Sequence, residues 1–114
     1  MRQLTAPITG IEAIAADCGI VICTVAHAGD GNAHPMIVFD PTDSDTTERA
    51  HVVFSRIMAL AIGVGGTITG EHGIGRLKRD WLPRQLGGDV MELNRRIKAA
   101  LDPIGILNPG AALA

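Results

Sequence analysis

IVICTVAHAGDGNAHPMIVFDP, residues 20–41, is two apolar runs around a polar turn. Ile20 to Ala26 is β-branched and largely apolar, the composition of a buried strand. Gly29-Asp30-Gly31-Asn32 is a turn signal. Met36-Ile37-Val38-Phe39 follows as a second strand, closed by Asp40-Pro41. Strand, short polar turn and strand predict a β-hairpin.

Helical patterns flank it on both sides. Thr9-xx-Glu12 forms a capping box, with Ile8 and Ala13 placed as a hydrophobic staple. A short helix is expected from there to a stop at Gly19. Downstream, Asp45-xx-Glu48 is a second capping box. Behind it Val53, Ile57, Leu60, Ala61 and Val64 share one helical stripe, ended by the glycines at 63, 65 and 66. Thr67-Ile68-Thr69 reads as a third, short strand. Leu77 to Leu86 reads as a helix broken by Pro83. Asp89-xx-Glu92 opens a last helix, with Val90, Leu93, Ile97, Ala100 and Leu101 as its core face. Leu107-Asn108-Pro109-Gly110 is a turn-like end. The order α, β, β, α, β, α, α predicts an α+β fold, an antiparallel sheet with flanking helices. Three strands make a thin sheet, and no strand precedes the first helix. An N-terminal part of a larger sheet is therefore expected outside this polypeptide.

The chain has 114 residues, one domain at most, enough for a modest core without disulfides. A net charge of −2 offers no basic field for nucleic acid. Phe39, Phe54 and Trp81 are too few aromatics for a base-stacking platform. Cys18 and Cys23 form neither a CxxC nor a zinc-ribbon pattern. Both read as small buried hydrophobes, Cys23 inside a strand. Met36, Met58 and Met91 read as core or turn-filling residues. Seven of the ten basic residues lie between Arg76 and Lys98. That run reads as two solvated helix faces, with a surface for an anionic substrate or partner domain as the sharper reading. No signal segment is visible and no apolar run approaches about 18 residues, so a cytoplasmic location is expected.

Chemistry concentrates in two places. His27 and His34 bracket the hairpin loop, and Glu71-His72 sits inside Gly70-Glu71-His72-Gly73-Ile74-Gly75. Residues near the ends of paired strands face each other, and two imidazoles so placed can share a metal ion. Glu71 can supply an anionic third ligand. His27, His34 and Glu71 then make a two-His-one-carboxylate set with open positions, the pattern of a catalytic metal site. In extended backbone adjacent side chains point oppositely, which divides the roles: Glu71 on the metal, His72 beside the substrate as a base. Asp-Gly-Asn loops are also ordinary turns, and spacing alone leaves open a His27 that merely donates to a backbone carbonyl. Gly70–Gly75 is only loosely like a phosphate loop, because Arg76 stands where Lys is needed and no Ser or Thr follows. Gly63-Val64-Gly65 lacks the third glycine of a dinucleotide fingerprint.

Three motifs in order carry a resemblance. They are Ala26-His27-Ala28-Gly29-Asp30-Gly31-Asn32-Ala33-His34-Pro35, then Gly66-Thr67-Ile68-Thr69-Gly70-Glu71-His72-Gly73-Ile74-Gly75, then Leu107-Asn108-Pro109-Gly110. Together they resemble the C-terminal domain of FAD-linked oxidases, the group of glycolate oxidase, D-lactate dehydrogenase and D-2-hydroxyglutarate dehydrogenase. The likeness runs from about Ile8 onward. It implies a two-part enzyme, in which an N-terminal domain of the vanillyl-alcohol-oxidase type holds FAD. A C-terminal α+β cap, like a ferredoxin fold, closes the substrate site. Residues 1–114 would be the C-terminal half of that cap, without the FAD-binding domain. The resemblance further implies that His27, His34 and Glu71 bind a divalent metal, typically zinc. It makes His72 the general base and places Asn108 near the flavin. The implied reaction oxidises a D-2-hydroxy acid of the glycolate or lactate type to the 2-oxo acid. The metal grips the substrate, His72 takes the hydroxyl proton and the C2 hydride passes to the flavin.

The partners implied are an FAD-binding domain or subunit and a small 2-hydroxy acid. No nucleic acid is expected, and a homo-oligomer stays open. The chain departs from the family in two visible places. Ala111 stands where members often have Lys. Met36 stands where some have a substrate-contacting Asn, which looks more like the glycolate-oxidase branch. The chain alone is expected to be inactive. The alternative is a non-catalytic remnant that self-associates through an exposed apolar cap surface. A flavin-free metal hydrolase is disfavoured, because nothing builds a nucleophile or an oxyanion hole beyond the metal.

Overall fold

Leu4, Ile11 and Ile14 recur at helical spacing, and all three are buried. In the computed structural model, which describes residues 2–113 and the side chains of residues 4–113, they line helix α1, Arg2–Cys18. The helix thus begins well before Thr9. Thr9 and Glu12 lie exposed in its interior rather than forming a capping box. The apolar stripe reaches back past Pro7 and outweighs the hydrogen bond that Pro7 cannot make. Gly19 ends α1 as expected. Its φ of +58° is cheap only for glycine. The bonds from Gly19 N to Ala16 O at 3.3 Å and from Ile20 N to Ala15 O at 3.1 Å make a Schellman motif.

The hairpin forms. Strand β1, Val21–His27, pairs antiparallel with β2, Asn32–Val38. The second strand starts at Asn32, earlier than the apolar run that marked it. Strand β1 packs on α1, and β2 packs on α1 and on helix α2, Ser44–Gly63. Ile22, Ala26, Ala33 and Ile37 face inward and are half-buried. Val21, Cys23, Val25, Met36 and Val38 occupy the open face and are exposed. Cys23 is therefore in a strand but not buried, and Met36 is not a core residue. Alternation placed both on the uncovered side.

Helix α2 is capped by Asp43, whose Oδ1 accepts from Asp45 N at 3.0 Å. Asp45 is a first-turn acid, not the cap. Ala50, Val53, Ile57 and Met58 are its buried residues, while Leu60 and Ala61 are half-buried and Val64 exposed. Helices α1 and α2 approach closely at Gly10, where a Cβ would come within 2.7 Å of Leu60 Cδ2. A second Schellman motif ends α2, with Gly65 N bonded to Ile62 O and Gly66 N to Ala61 O. Arg49 donates to Gly19 O at 3.2 Å, at the negative end of α1. These elements form one compact unit, up to Gly66; the residues from Thr67 onward form another.

In the second unit the expected strand at Thr67-Ile68-Thr69 is irregular chain. Its backbone is satisfied by a side chain instead of a ladder. Ile68, buried, donates its N–H to Gln85 Oε1 at 2.8 Å, and Gln85 Nε2 donates to Thr67 Oγ1 at 2.8 Å. Among the described residues the sheet has two strands, and the fold is α+β. A single 3₁₀ turn, Arg79–Trp81, leads into the five-residue helix α3, Leu82–Leu86. Pro83 lies in the first turn of α3, where no partner for its nitrogen is required, so it starts that helix rather than breaking one.

Helix α4, Gly88–Leu101, has Gly87 at its N-cap, and Asp89 is a first-turn acid. Helix α3 packs on α4, and Met91 is the buried residue of α4. The expected core face is not one. Val90, Leu93, Ile97, Ala100 and Leu101 are exposed, because short α3 covers the Met91 side. Asp102 ends α4 and is buried. It accepts from Lys98 Nζ and from the N–H groups of Ile106 and Leu107, both at 3.0 Å. Lys98 Nζ also reaches Leu107 O at 2.7 Å. Among the described residues no helix is long and apolar enough to cross a membrane.

Candidate metal and proton-transfer site

Strand register explains the histidine pair. Val25 pairs with His34 and His27 pairs with Asn32, so both imidazoles rise from the open face of the hairpin on one diagonal. Their ring centroids are 5.1 Å apart and the planes are nearly perpendicular, at 89°. A ring nitrogen of each lies within 4.8 Å of the other. The turn fixes this register. Gly31 N bonds to His27 O at 3.0 Å, and Asp30 Oδ1 accepts from Asn32 N at 3.1 Å. Gly31 has φ +79°, which a side chain would strain.

The donor chemistry suits a divalent ion. Two zinc–imidazole bonds of about 2.0–2.1 Å span at most about 4.2 Å. The pair is thus close to the separation that a shared ion imposes, with His27 exposed and His34 half-buried.

Glu71 and His72 sit in a tight turn, not in extended chain. Gly73 N bonds to Gly70 O at 3.1 Å, which makes them its two central residues. Gly73 has φ +70°. The turn brings the two side chains together, with His72 Nε2 3.7 Å from Glu71 Oε1, both exposed. The opposite pointing expected of neighbours in a strand therefore does not occur.

Asn108 is exposed and has φ +51°, a left-handed conformation that Asn tolerates better than most residues. The structure brings His27 to His34 within the first unit and Glu71 to His72 within the second, where Asn108 also lies.

The basic run is not simply two solvated faces. Arg76 and Arg79 donate to the carbonyls of Pro109 and Gly110. Arg84 stacks over Trp81 at 4.5 Å, and Lys98 binds Asp102. Burial pushes the Lys78 ammonium below its ordinary pKa. Sequence reasoning missed Asp102 and the two arginine ties. The pair Asp102-Pro103 just past an amphipathic stretch was the available signal for the first.

Among the described residues no strand leads through a glycine turn into a helix N-terminus, the succession that marks a Rossmann dinucleotide site. The glycine pair Gly87-Gly88 opens α4 but follows helix α3, and the connection from β2 to α2 has no glycine.

The model of the family described as FAD linked oxidases, C-terminal domain, matches residues 1–112. Glycolate oxidase subunit GlcD of Bacillus subtilis is 45% identical over 107 residues, covering 94% of this chain and 23% of that protein. GlcD of Escherichia coli K12 is 40% identical over 109 residues, covering 96% of this chain and 22% of that protein. The mitochondrial D-lactate dehydrogenase (cytochrome) of Arabidopsis thaliana is 42% identical over 95 residues, 82% of this chain and 17% of that protein. The chain thus spans less than a quarter of the length of these relatives. With the histidine hairpin, the Glu71-His72 turn and Asn108 all inside the matched residues, the chain belongs to the FAD-linked oxidases, in their C-terminal domain family.

Proposed function

We propose that this chain is the substrate- and metal-binding cap of an FAD-dependent oxidoreductase that converts a D-2-hydroxy acid of the glycolate or lactate type to its 2-oxo acid. The observation that carries the reading is the His27–His34 pair, held on one face by strand register. The relatives named as glycolate oxidase and D-lactate dehydrogenase support the substrate class.

In this reading His27, His34 and Glu71 hold one divalent ion, zinc being the metal that the family resemblance implies. A metal there supplies Lewis acidity toward the substrate's hydroxyl and carboxylate, and FAD, held by a portion of the enzyme outside these residues, supplies two-electron chemistry. The residues of this chain do the rest. His27 and His34 would hold the ion from the open face of the hairpin. His72, in its neutral form, accepts the hydroxyl proton. Glu71 is its turn neighbour, with Oε1 3.7 Å from His72 Nε2. Asn108 belongs on the flavin side. The cytoplasm is the compartment we assign, where the free thiols of Cys18 and Cys23 persist.

Zinc titration of the chain tests the ligand set. His27→Ala, His34→Ala and Glu71→Ala should each weaken binding by at least about 100-fold, whereas His72→Ala should leave it within about threefold. Unchanged affinity in His34→Ala overturns the reading. The chain with added FAD and a dye acceptor should not oxidise D-lactate or glycolate, and turnover would show that the flavin site has been misplaced.

The exposed stripe on α4 favours a second reading, a non-catalytic chain that self-associates. Light scattering decides: a stable monomer at micromolar concentration removes it.

A further inference from the structure

Three hydrogen bonds tie the segment around Asn108 to the chain that follows the Glu71-His72 turn. Arg76 Nη2 donates to Pro109 O at 3.1 Å. Arg79 Nη1 donates to Gly110 O at 3.2 Å. Ala112 N donates to Gly75 O at 2.8 Å. On its N-terminal side Leu107 is fixed by Asp102 and Lys98, at 3.0 and 2.7 Å; from Asn108 onward the arginines and Gly75 are the ties. Asn108 is left-handed at φ +51° and Gly110 at φ +78°, and the proline between them has no N–H to give. Locally, Ala111 N reaches Asn108 O at a long 3.3 Å.

A left-handed asparagine costs less than most side chains there, but the surrounding bonds still select it. Guanidinium groups suit that task. They stay charged at every relevant pH and carry several donors in a fixed plane. A charged donor on a carbonyl is also a stronger bond than a neutral one.

We infer that Arg76 and Arg79 are positioning residues for Asn108. They hold its backbone beside the chain that follows the turn carrying Glu71 and His72, so the flavin-side residue and the proton acceptor keep one geometry. Neither arginine touches substrate in this scheme; both act through the carbonyls of Pro109 and Gly110. The functional meaning rests on the roles proposed above for Asn108 and His72.

Nitrogen-15 relaxation and amide exchange on the full chain test it. In Arg76→Ala/Arg79→Ala the Ala112 amide should exchange at least about tenfold faster. The Asn108 order parameter should fall from a rigid value of about 0.85 to below about 0.6. The thermal midpoint and the hairpin amides should stay unchanged. Arg79→Lys, which keeps one charged donor, should restore part of the order. Arg76→Gln, with a neutral donor, should loosen the segment less than the double variant, and it serves if that variant does not fold. An unchanged Asn108 order parameter overturns the inference. So does loosening that spreads through α3 and α4 with a lowered midpoint, which marks a general brace. Zinc affinity separates this inference from the metal reading. It should be preserved in the double variant, and a wild type that binds no zinc breaks the metal reading while the exchange result still decides the clamp.

Discussion

The unit up to Gly66 and the unit from Thr67 onward are held together in different ways. In the first, α1 and α2 meet along buried apolar stripes, a hairpin ladder lies against them, and both helices end in Schellman motifs. In the second, side chains bond to backbone at the points that matter: Gln85 to Ile68, Arg76 to Pro109, Arg79 to Gly110, Lys98 to Leu107 and Asp102 to Ile106 and Leu107. The first unit orders itself by repeating patterns, and the second by single contacts. The proposed chemistry draws on both: the hairpin supplies two imidazoles through its register, and a glycine-flanked turn supplies Glu71 and His72.

If that contrast is right, the largest stability loss comes from the repeating core. Ile57 is 5% exposed beside Val53 at 0%. Ile57→Ala should cost about 2–5 kcal/mol in urea unfolding, through lost burial and a residual cavity. A cost below about 1 kcal/mol would show that the α1–α2 contact is loosely packed and would blur the distinction.

A single contact comes next. Gln85 satisfies the buried N–H of Ile68. Gln85→Ala should cost about 1–3 kcal/mol, the penalty of a buried donor left without its acceptor. The loss should appear as faster exchange at Ile68 with the hairpin amides unaffected. Uniform loosening of both units would count against local control.

Asp102 gives the same contrast a pH signature. Its hydrogen bond from Lys98, aided by the N–H groups of Leu107 and Ile106 against the opposing effect of burial, holds the carboxyl below its ordinary value of 3.8. A carboxylate so depressed contributes its full stability above that ordinary value and loses it as pH falls through the lower, folded value. Wild type should therefore lose midpoint on acidification below about pH 4 more steeply than Asp102→Asn, which has no such group to protonate. Parallel curves would mean that the Lys98 contact adds nothing.

The difference between the units also explains what the sequence disclosed. The hairpin, the α2 stripe and the stops at Gly19 and Gly65 were legible because periodicity and glycine chemistry are local. The histidine pair was legible too, since alternation puts both side chains on one face and the glycine turn sets the register. The supposed strand at Thr67-Ile68-Thr69 was not, because its partner is one glutamine side chain far along the chain. The capping boxes at Thr9, Asp45 and Asp89 were each displaced. A cap motif of four residues recurs by chance inside helices, and an apolar stripe or a nearer Asp43 decides where the helix starts. The Glu71-His72 geometry depended on recognising a turn between glycines where β-branched neighbours had suggested a strand.

The smallest expected effect tests the clearest mismatch between pattern and burial. Leu93, Ile97 and Leu101 repeat on α4 at the spacing that buries Val53 and Ile57 on α2, yet they are 53%, 50% and 76% exposed. Periodicity reveals that a helix has an apolar face, but the face is buried only if an element of sufficient length lies over it. Helix α3, with five residues, covers Met91 and leaves the stripe bare. Leu93→Ala should then change the stability of the dilute chain by no more than about 0.5 kcal/mol, as for a surface position. Measured across a hundredfold range of concentration, that near-zero value should hold if the chain stays monomeric. A cost that grows with concentration would show that another copy covers the stripe. A cost comparable to that of Ile57→Ala in dilute solution would mean that α4 is buried after all, and the contrast between the two helices would fail.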